Sequence, residues 1–275
     1  MKVRLTCYQP QFFPRLHYFA RILNSDIFAV ADYVQFVQRH TYKRPEGSVR
    51  GPSYQAHAPI KAKDGMLLLT LPTKHDGRLP IHQTKPVFQK PQERLRNFRI
   101  IEQNYYQAPN YKRHATALEE IFRTPHETVA DFNLASILWG LSVLFELPEK
   151  TRLAVLDDIQ RELPHSDFRL KKIILFSKSH VAPPDKGRGR DANDWLVDAC
   201  RAYAVDEYYF GGTGAESYMD FAKFENAGIA LVQQEWCGTP YAQRWGTFLP
   251  NLSILDLLMN VPPVEAREIL RTKGQ

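Results

Sequence analysis

Between Val3 and Ala31 the chain runs from a short apolar, β-branched stretch (Val3–Cys7), through a proline-stiffened loop, to apolar residues at helical spacing (Tyr18–Leu23). It then returns to an apolar stretch at Ile27–Ala31. Strand, loop, helix and strand in so short a span is a βαβ unit. Its crossover rule demands a parallel neighbour, so the segment commits the chain to an α/β fold with a mostly parallel sheet and helices on both faces. Sheets of this kind bind ligands outside the carboxyl ends of their strands. Gln9–Pro14 and Asp32–Phe36 fall at those ends.

Downstream, Arg39–Gln55 is dense in glycine, proline, serine and basic residues and reads as a long surface loop, a candidate lid. Met66–Leu71 reads as a buried strand. Val87–Asn104 and Tyr111–Phe122 read as helices punctuated by Pro86, Pro91 and Pro109. Ser136–Phe145 is a further apolar helix, because it alternates too rarely for a strand. Lys172–Ser177 is a short buried strand, Pro183–Asp191 a polar loop, Ala192–Tyr203 a helix and Ala204–Phe210 another strand. Near the C-terminal end, Leu252, Ile254, Leu255, Leu257 and Leu258 read as a packed helix with Asn251 or Ser253 as its cap. No internal repeat and no low-complexity linker interrupts the chain, so residues 1–275 are expected to form a single α/β domain with a helical section at about 86–150.

Composition narrows the class. The 275 residues suffice for a core, and 44% apolar with 24% charged residues is ordinary for a soluble chain. No apolar run is long enough to span a bilayer, and the first residues lack the core of a secretory signal, so a cytoplasmic protein without a membrane partner is expected. Cys7, Cys200 and Cys237 are odd in number and widely spaced, which suits reduced thiols and no metal site. A net charge of +6 suits an anionic partner: a phosphate-bearing small molecule, a carrier protein or a nucleic acid. Much of the basic excess lies at Arg39–Arg50 and Lys85–Arg99, where no nucleic-acid-binding motif occurs, so a nucleic acid is not expected.

Two stretches carry candidate chemistry. In "CYQPQFFPRLHYF", Gln9 and Gln11 offer amides at a strand end, and Pro10 and Pro14 stiffen the loop that carries them. Tyr8, Phe12, Phe13, His17 and Tyr18 suit either stacking on a flat ligand or packing at the core and rim. In "YYFGGTGAESYMD", Gly211, Gly212 and Gly214 follow a strand and precede a helix, where backbone N–H groups can meet an anion. This turn fits neither the dinucleotide fingerprint nor the P-loop. Asp32 closes the second strand, where it can meet a ribose or an amine or cap a turn. His57 can act as a base near neutral pH or stand as a surface histidine. No Ser-His-Asp order, HExxH, GxSxG or Walker pattern occurs, and Cys7 reads as a core thiol.

Taken together, "YQPQFFPRLHYFARILNSDIFAVADYVQF", "SYQAHAPIK", "YYFGGTGAESYMD" and "WGTFLPNLSILDLLMN" resemble WbqC-like proteins over nearly the whole chain. Gln9, Pro10, Pro14, Tyr18, Phe19, Asp32, Gln35, Gly212, Tyr218, Pro250, Asn251, Leu252 and Asp256 match the pattern of that family. Departures are Tyr8 for a histidine, His17 for a glycine, Tyr54–Ala58 for a Trp-Gln-Asn-Arg-Asn segment, and an apparent insertion over Arg39–Ser53. The resemblance implies transfer of glycine or another aminoacyl group to the amine of a sugar nucleotide, and the departures imply a different substrate or a relaxed site. The first turn is also similar to the HxGH region of nucleotidylyltransferases, with Arg15 and Tyr18 at the histidine places. That similarity implies a Rossmann-like sheet and argues against ordinary adenylyl transfer.

The leading expectation is a biosynthetic acyl- or aminoacyltransferase acting on an amine of a small-molecule or sugar-nucleotide acceptor. Asp32 or His57 would take the proton. Tyr8, Gln9, Gln11, Phe12, His17, Tyr18, Gln35, Gly211, Gly212, Gly214 and Tyr218 would line the substrate site. A carrier protein or an aminoacyl donor is a candidate partner, and no cofactor and no oligomeric state is assigned. The alternatives are a nucleotide-dependent ligase or nucleotidyltransferase relative and a non-catalytic binding protein for a carrier protein.

Overall fold

The computed structural model describes residues 2–44, 47–74, 79–147, 155–181, 190–211 and 219–271. The chain opens with β1 (Arg4–Tyr8), α1 (Leu16–Leu23) and β2 (Ile27–Val30), and follows with two hairpins, β3 (Arg39–Arg44) with β4 (Gly47–Pro52) and β5 (His57–Ala62) with β6 (Gly65–Thr70). A helical run follows: α2 (Arg96–Tyr105), α3 (Tyr111–Arg123), α4 (Val129–Leu144) and α5 (Leu156–Glu162). The rest is β7 (Lys172–Leu175), α6 (Ala192–Ala202), β8 (Glu207–Phe210), α7 (Phe221–Asn226), β9 (Ala230–Gln233), α8 (Ile254–Asn260) and α9 (Pro263–Leu270).

The main sheet has the order β7-β2-β1-β8-β9, with every neighbouring pair parallel. Numbered along the chain, its strands run 3-2-1-4-5, the doubly wound Rossmann-like order. The direction of winding reverses between β1 and β8, so the ligand crevice of such a sheet opens above Tyr8 and Phe210.

Period-two alternation sends successive side chains to opposite faces. Phe28, Val30 and Ile173 point into a core shared with α1, α4, α8 and α9. Leu5, Ile27, Ala29, Ile174, Tyr208 and Phe210 point into the other core, closed by α6 and α7 through Leu196, Cys200 and Phe224. Helices therefore cover both faces, as the βαβ unit requires.

Several expectations change. Arg39–Gln55 is not a loop, because most of it forms the antiparallel hairpin pairing Arg39 with Pro52 through to Arg44 with Gly47. An exposed ribbon tolerates polar residues on both faces, so its composition imitates a loop. Met66–Leu71 is a strand but only half buried: Leu69 and Leu71 face inward, while Met66 and Leu67 are 61% and 38% exposed. Val87–Lys90 is not helical. Pro91 starts a 3₁₀ turn over Pro91–Leu95 that leads into α2.

The helix at Ser136–Phe145 begins earlier, at Val129, where Thr128 and Asp131 form a reciprocal capping box. The last strand of the sequence reading starts late, at Glu207, because Ala204 takes the left-handed conformation (φ 50°) that ends α6. The expected α8 is present with Ser253 as its cap: the Ser253 hydroxyl accepts from the Leu255 N–H. The helix expected after the glycine turn is α7, and the strands β5 and β9 and the helices α5 and α9 add to the elements read from sequence. Among the described residues no helix is long and apolar enough to cross a membrane, and Cys7, Cys200 and Cys237 are free thiols.

Candidate functional site

The loop Gln9–Pro14 leaves β1 at the crevice and is tied down along its length. The Phe12 N–H donates to Tyr54 O (2.9 Å) and the Phe13 N–H to Ser136 Oγ (3.0 Å). Asn133 Nδ2 donates to both Pro10 O (2.9 Å) and Gln55 O (2.8 Å), and Ser253 Oγ donates to Phe13 O (2.8 Å). These bonds hold Phe13 at φ 39°, a left-handed conformation that costs a bulky residue about 1–2 kcal/mol. The loop is rigid because its backbone polar groups are used.

Rigidity here comes from burial, which redistributes the expected roles. The Phe12 and Phe13 rings pack on Phe122, Phe132 and Trp139 in the core, so neither can stack on a ligand. The Gln11 side chain is buried too, with Oε1 lacking a hydrogen-bond partner. Tyr18 is fully buried; its hydroxyl donates to Gln9 O (3.2 Å) and its ring meets Tyr8 edge-on at 4.9 Å. Tyr18 thus positions Tyr8 and Gln9, and burial pushes its phenol well above the usual range.

Gln9 is oriented by a neighbouring amide. Buried Gln55 donates from Nε2 to Gln9 Oε1 (2.6 Å) and accepts from the Val37 N–H at Oε1 (2.6 Å). With its oxygen engaged, Gln9 keeps its NH₂ as a donor. Gln35 lies beside this pair, its carbonyl 3.4 Å from Gln55 Nε2, and its side chain is exposed.

At the reversal between β1 and β8 stands Arg21, a residue of α1 that is 3% exposed. Its Nε donates to Gln234 Oε1 (2.9 Å), and its Cζ lies 4.8 Å from the centre of the Tyr8 ring. Gly211 follows β8 directly. A Cβ there would lie 2.6 Å from Arg21 Nη2 and 2.8 Å from Gln234 Oε1, so glycine leaves the space that the guanidinium occupies. Gln234 is fixed in turn, its N–H donating to Phe210 O (2.7 Å) and its Nε2 to His17 O (2.9 Å).

His17 lies one turn before Arg21. Its backbone N–H (3.1 Å) and its Nδ1 (3.0 Å) both meet Asn251 Oδ1. An amide oxygen only accepts, so Nδ1 carries the proton and Nε2 keeps its lone pair. Burial, aided by the Arg15 and Arg21 guanidiniums, pushes this imidazole down to about 3, so it is neutral at physiological pH. Arg15 lies with its Cζ 3.9 Å from the centre of the Tyr54 ring, and its Nε is buried without a hydrogen-bond partner.

The start of α1 does not offer the phosphate cradle expected of a first βα turn. The Leu16 N–H donates to Leu252 O (3.0 Å) and the His17 N–H to Asn251 Oδ1, so the chain's own segment occupies the donors that a pyrophosphate would use.

The two residues expected to take a proton lie elsewhere. Asp32, 6% exposed at the end of β2, accepts from the Ser177 N–H (2.8 Å) and from the Ser177 hydroxyl. Its carboxylate is committed to joining the ends of β2 and β7. His57 begins β5, its Nδ1 2.8 Å from Ser53 O. It lines a groove of about 620 Å³ with Arg39 and Arg50 of the first hairpin and is not hydrogen-bonded to Asp32. Gly212, Gly214 and Tyr218 lie outside the described residues.

The structure therefore brings Tyr8, Gln9, His17, Tyr18 and Gly211 together at the reversal and sets His57 apart. Sequence reasoning missed Arg21 and Gln234, and took Asn251 only as a helix cap. The signal for Arg21 was present as a lone charge inside the apolar helix "YFARIL".

A profile described as the WbqC-like protein family matches residues 9–268. The chain is also similar to the uncharacterized protein Rv1507c of Mycobacterium tuberculosis (strain ATCC 25618 / H37Rv), at 26% identity over 266 residues that cover 96% of this chain and 95% of that protein. No solved structure matches.

Proposed function

The chain belongs to the WbqC-like protein family, and from that premise we propose that it is a cytoplasmic biosynthetic transferase moving an acyl or aminoacyl group onto the amine of a small-molecule or sugar-nucleotide acceptor. The observation that carries this reading is the convergence of Gln9, His17 and Arg21 where the strand order reverses. The acceptor amine attacks the donor carbonyl, a C–N bond forms, and the donor's thiol or hydroxyl leaves with the electron pair of the broken bond. The proton lost by the amine passes to His17 Nε2 and from there to the leaving group. Gln9 Nε2 donates to the oxyanion that develops on the carbonyl.

A histidine held down to about 3 is a weak base when the site is empty. Anionic ligand charge beside Arg15 and Arg21 cancels part of the field that lowers it and moves its basicity upward on binding, while burial still holds it below its ordinary value. The proton is assigned to His17 and not to Asp32, whose carboxylate holds Ser177, or to His57, which lies in the hairpin groove. The occupied start of α1 weighs against a nucleotide ligase, which would need those N–H groups for phosphate.

The test is thermal-shift screening of wild type, Gln9→Ala and His17→Gln against sugar nucleotides, ATP, coenzyme A thioesters and amino acids. Mass spectrometry of donor and acceptor mixtures then follows product. Stabilisation by an acceptor or donor that Gln9→Ala loses, with a product formed by wild type and not by His17→Gln, is the expected result. Product that requires ATP hydrolysis would replace this reading with the ligase.

A further inference from the structure

We infer that the Arg21 guanidinium, framed by Tyr8, Gly211 and Gln234, is the seat of a single oxyanion, a carboxylate or a phosphate, on the molecule bound at the strand-end crevice. The inference rests on that crevice being the ligand site.

Arg21 is the charged residue of a helix whose other buried members are Leu16, Tyr18, Phe19, Ala20, Ile22 and Leu23. Among the described residues no carboxylate lies within ion-pair distance of it, and Nε is the only guanidinium nitrogen that makes a hydrogen bond. A buried arginine ordinarily has an acidic partner, because the cost of desolvating a cation is offset only by a counter-charge and by full use of its donors. Here one neutral amide oxygen and one ring face stand in for that partner. Four of the five N–H donors remain for a ligand.

The surroundings maintain this arrangement. Tyr8 ends β1 and Gly211 follows β8, so the guanidinium lies between the two strand ends that flank the reversal. Gln234 is itself held by Phe210 O and His17 O, which fixes the oxygen that orients Nε. The other anion seat of this fold, the start of α1, is filled by Asn251 and Leu252. An anion at this crevice is therefore gripped by a side-chain fork, whose two parallel N–H vectors match one planar carboxylate or one phosphate face better than an extended pyrophosphate. His17 reports on the event, because the charged groups that lower it are Arg15, at the start of α1, and Arg21, while Asn251 holds its Nδ1 from the C-terminal segment.

The experiment uses the full chain with inorganic phosphate and with acetate as probes, at constant ionic strength set with chloride. Binding is read by thermal shift and by NMR titration of His17. Arg21→Gln removes the fork. Gly211→Ala places a methyl group against the Arg21 guanidinium and the Gln234 side chain, including its Cβ at 2.9 Å, so it displaces the guanidinium and shifts Gln234 while leaving Arg21 in place, and keeps the test valid should Arg21→Gln fail to fold. One probe, or both, should stabilise wild type beyond chloride and move the His17 titration upward, with affinity at least tenfold lower in each variant. Preference for phosphate points to a phosphorylated acceptor, and preference for acetate to an amino-acid or other carboxylate ligand. Equal response to both probes and chloride, or binding unchanged in both variants, overturns the assignment. A ligand from the wider screen that needs Gln9 but binds Arg21→Gln as tightly as wild type overturns the oxyanion seat and leaves the crevice standing. One that ignores Gln9→Ala as well removes both.

Discussion

Acid should weaken this fold through histidines that it keeps neutral, and His17→Gln isolates the one at the candidate site. In the unfolded chain a histidine titrates near 6.5, whereas burial, aided by Arg15 and Arg21, holds His17 at about 3. Burial, aided by Arg113, holds His114 at about 4. His114 lies against Trp139, its ring centroid 5.9 Å away and its Nε2 without a hydrogen-bond partner. Between those values and 6.5 the unfolded chain binds protons that the folded chain refuses, so stability falls as pH falls. It is fully present above the unfolded value. At about pH 5, some one and a half pH units below that value and at ~1.4 kcal/mol per unit, each histidine removes about 2 kcal/mol. Together they remove about 4 kcal/mol, a large share of the usual 5–15 kcal/mol.

Urea unfolding followed by fluorescence, from about pH 8 to about pH 5, measures the loss. His17→Gln keeps a donor for Asn251 Oδ1 and cannot titrate, so the acid-dependent loss should shrink by about 2 kcal/mol. Any constant cost of the substitution cancels in the pH difference. An unchanged acid dependence would mean that His17 titrates as in the unfolded chain, and the account of a neutral imidazole between two guanidiniums would fail.

Two further substitutions probe the scaffold beneath the site. At Gly140 of α4 a Cβ would lie 2.6 Å from Phe19 Cζ of α1, so Gly140→Ala should lower the urea midpoint by an amount equivalent to about 1–3 kcal/mol, with an unchanged slope. Asp256 is fully buried and accepts from the Tyr105 (2.8 Å) and Tyr241 (2.7 Å) hydroxyls, and its carboxyl is raised by that burial. Asp256→Leu leaves both hydroxyl protons without this acceptor and removes the carboxylate near the Lys61 ammonium, at ~3–5 kcal/mol. Asp256→Asn keeps an acceptor and should cost less, and equal losses in the two variants would refute the hydrogen-bond account.

The first thirty residues were legible because a continuous apolar run at Ile27–Ala31 and helical spacing at Tyr18–Leu23 each imply a partner surface. What sits beside β1 was not legible. The pairing of Leu5 with Tyr208 joins residues far apart in sequence, and no local pattern encodes which later strand fills that edge. The candidate site divides the same way. Gln9 was expected there because ligands meet strand ends, Tyr8 as an aromatic of the same loop, and Gly211 because a glycine turn follows a strand. Arg21 acquires its setting only when β8 and the residue after β9 arrive beside it. Asn251 read as a helix cap because its acceptor role is addressed to His17, 234 residues away. Asp32 stood where a functional carboxylate belongs, and only the arrival of Ser177 after β7 shows what it holds.

The segment Asn251–Ser253 makes the site and the C-terminal helix one mechanical unit. Asn251 Oδ1 fixes the proton on His17 Nδ1, Leu252 O takes the first N–H of α1, and Ser253 both caps α8 and holds Phe13 O of the loop after β1. Below them, Asp256 anchors α8 to Tyr105 of α2 and to Tyr241. A Rossmann-like fold ordinarily leaves the start of its first helix open and lets the backbone dipole do the binding. Here three consecutive residues close that opening, which removes a backbone anion site and gives in exchange a histidine of fixed tautomer. In the proposed reading, recognition then falls to side chains at the reversal, the amide of Gln9 and the fork of Arg21. Their geometry, unlike that of a helix dipole, can distinguish one oxyanion from another.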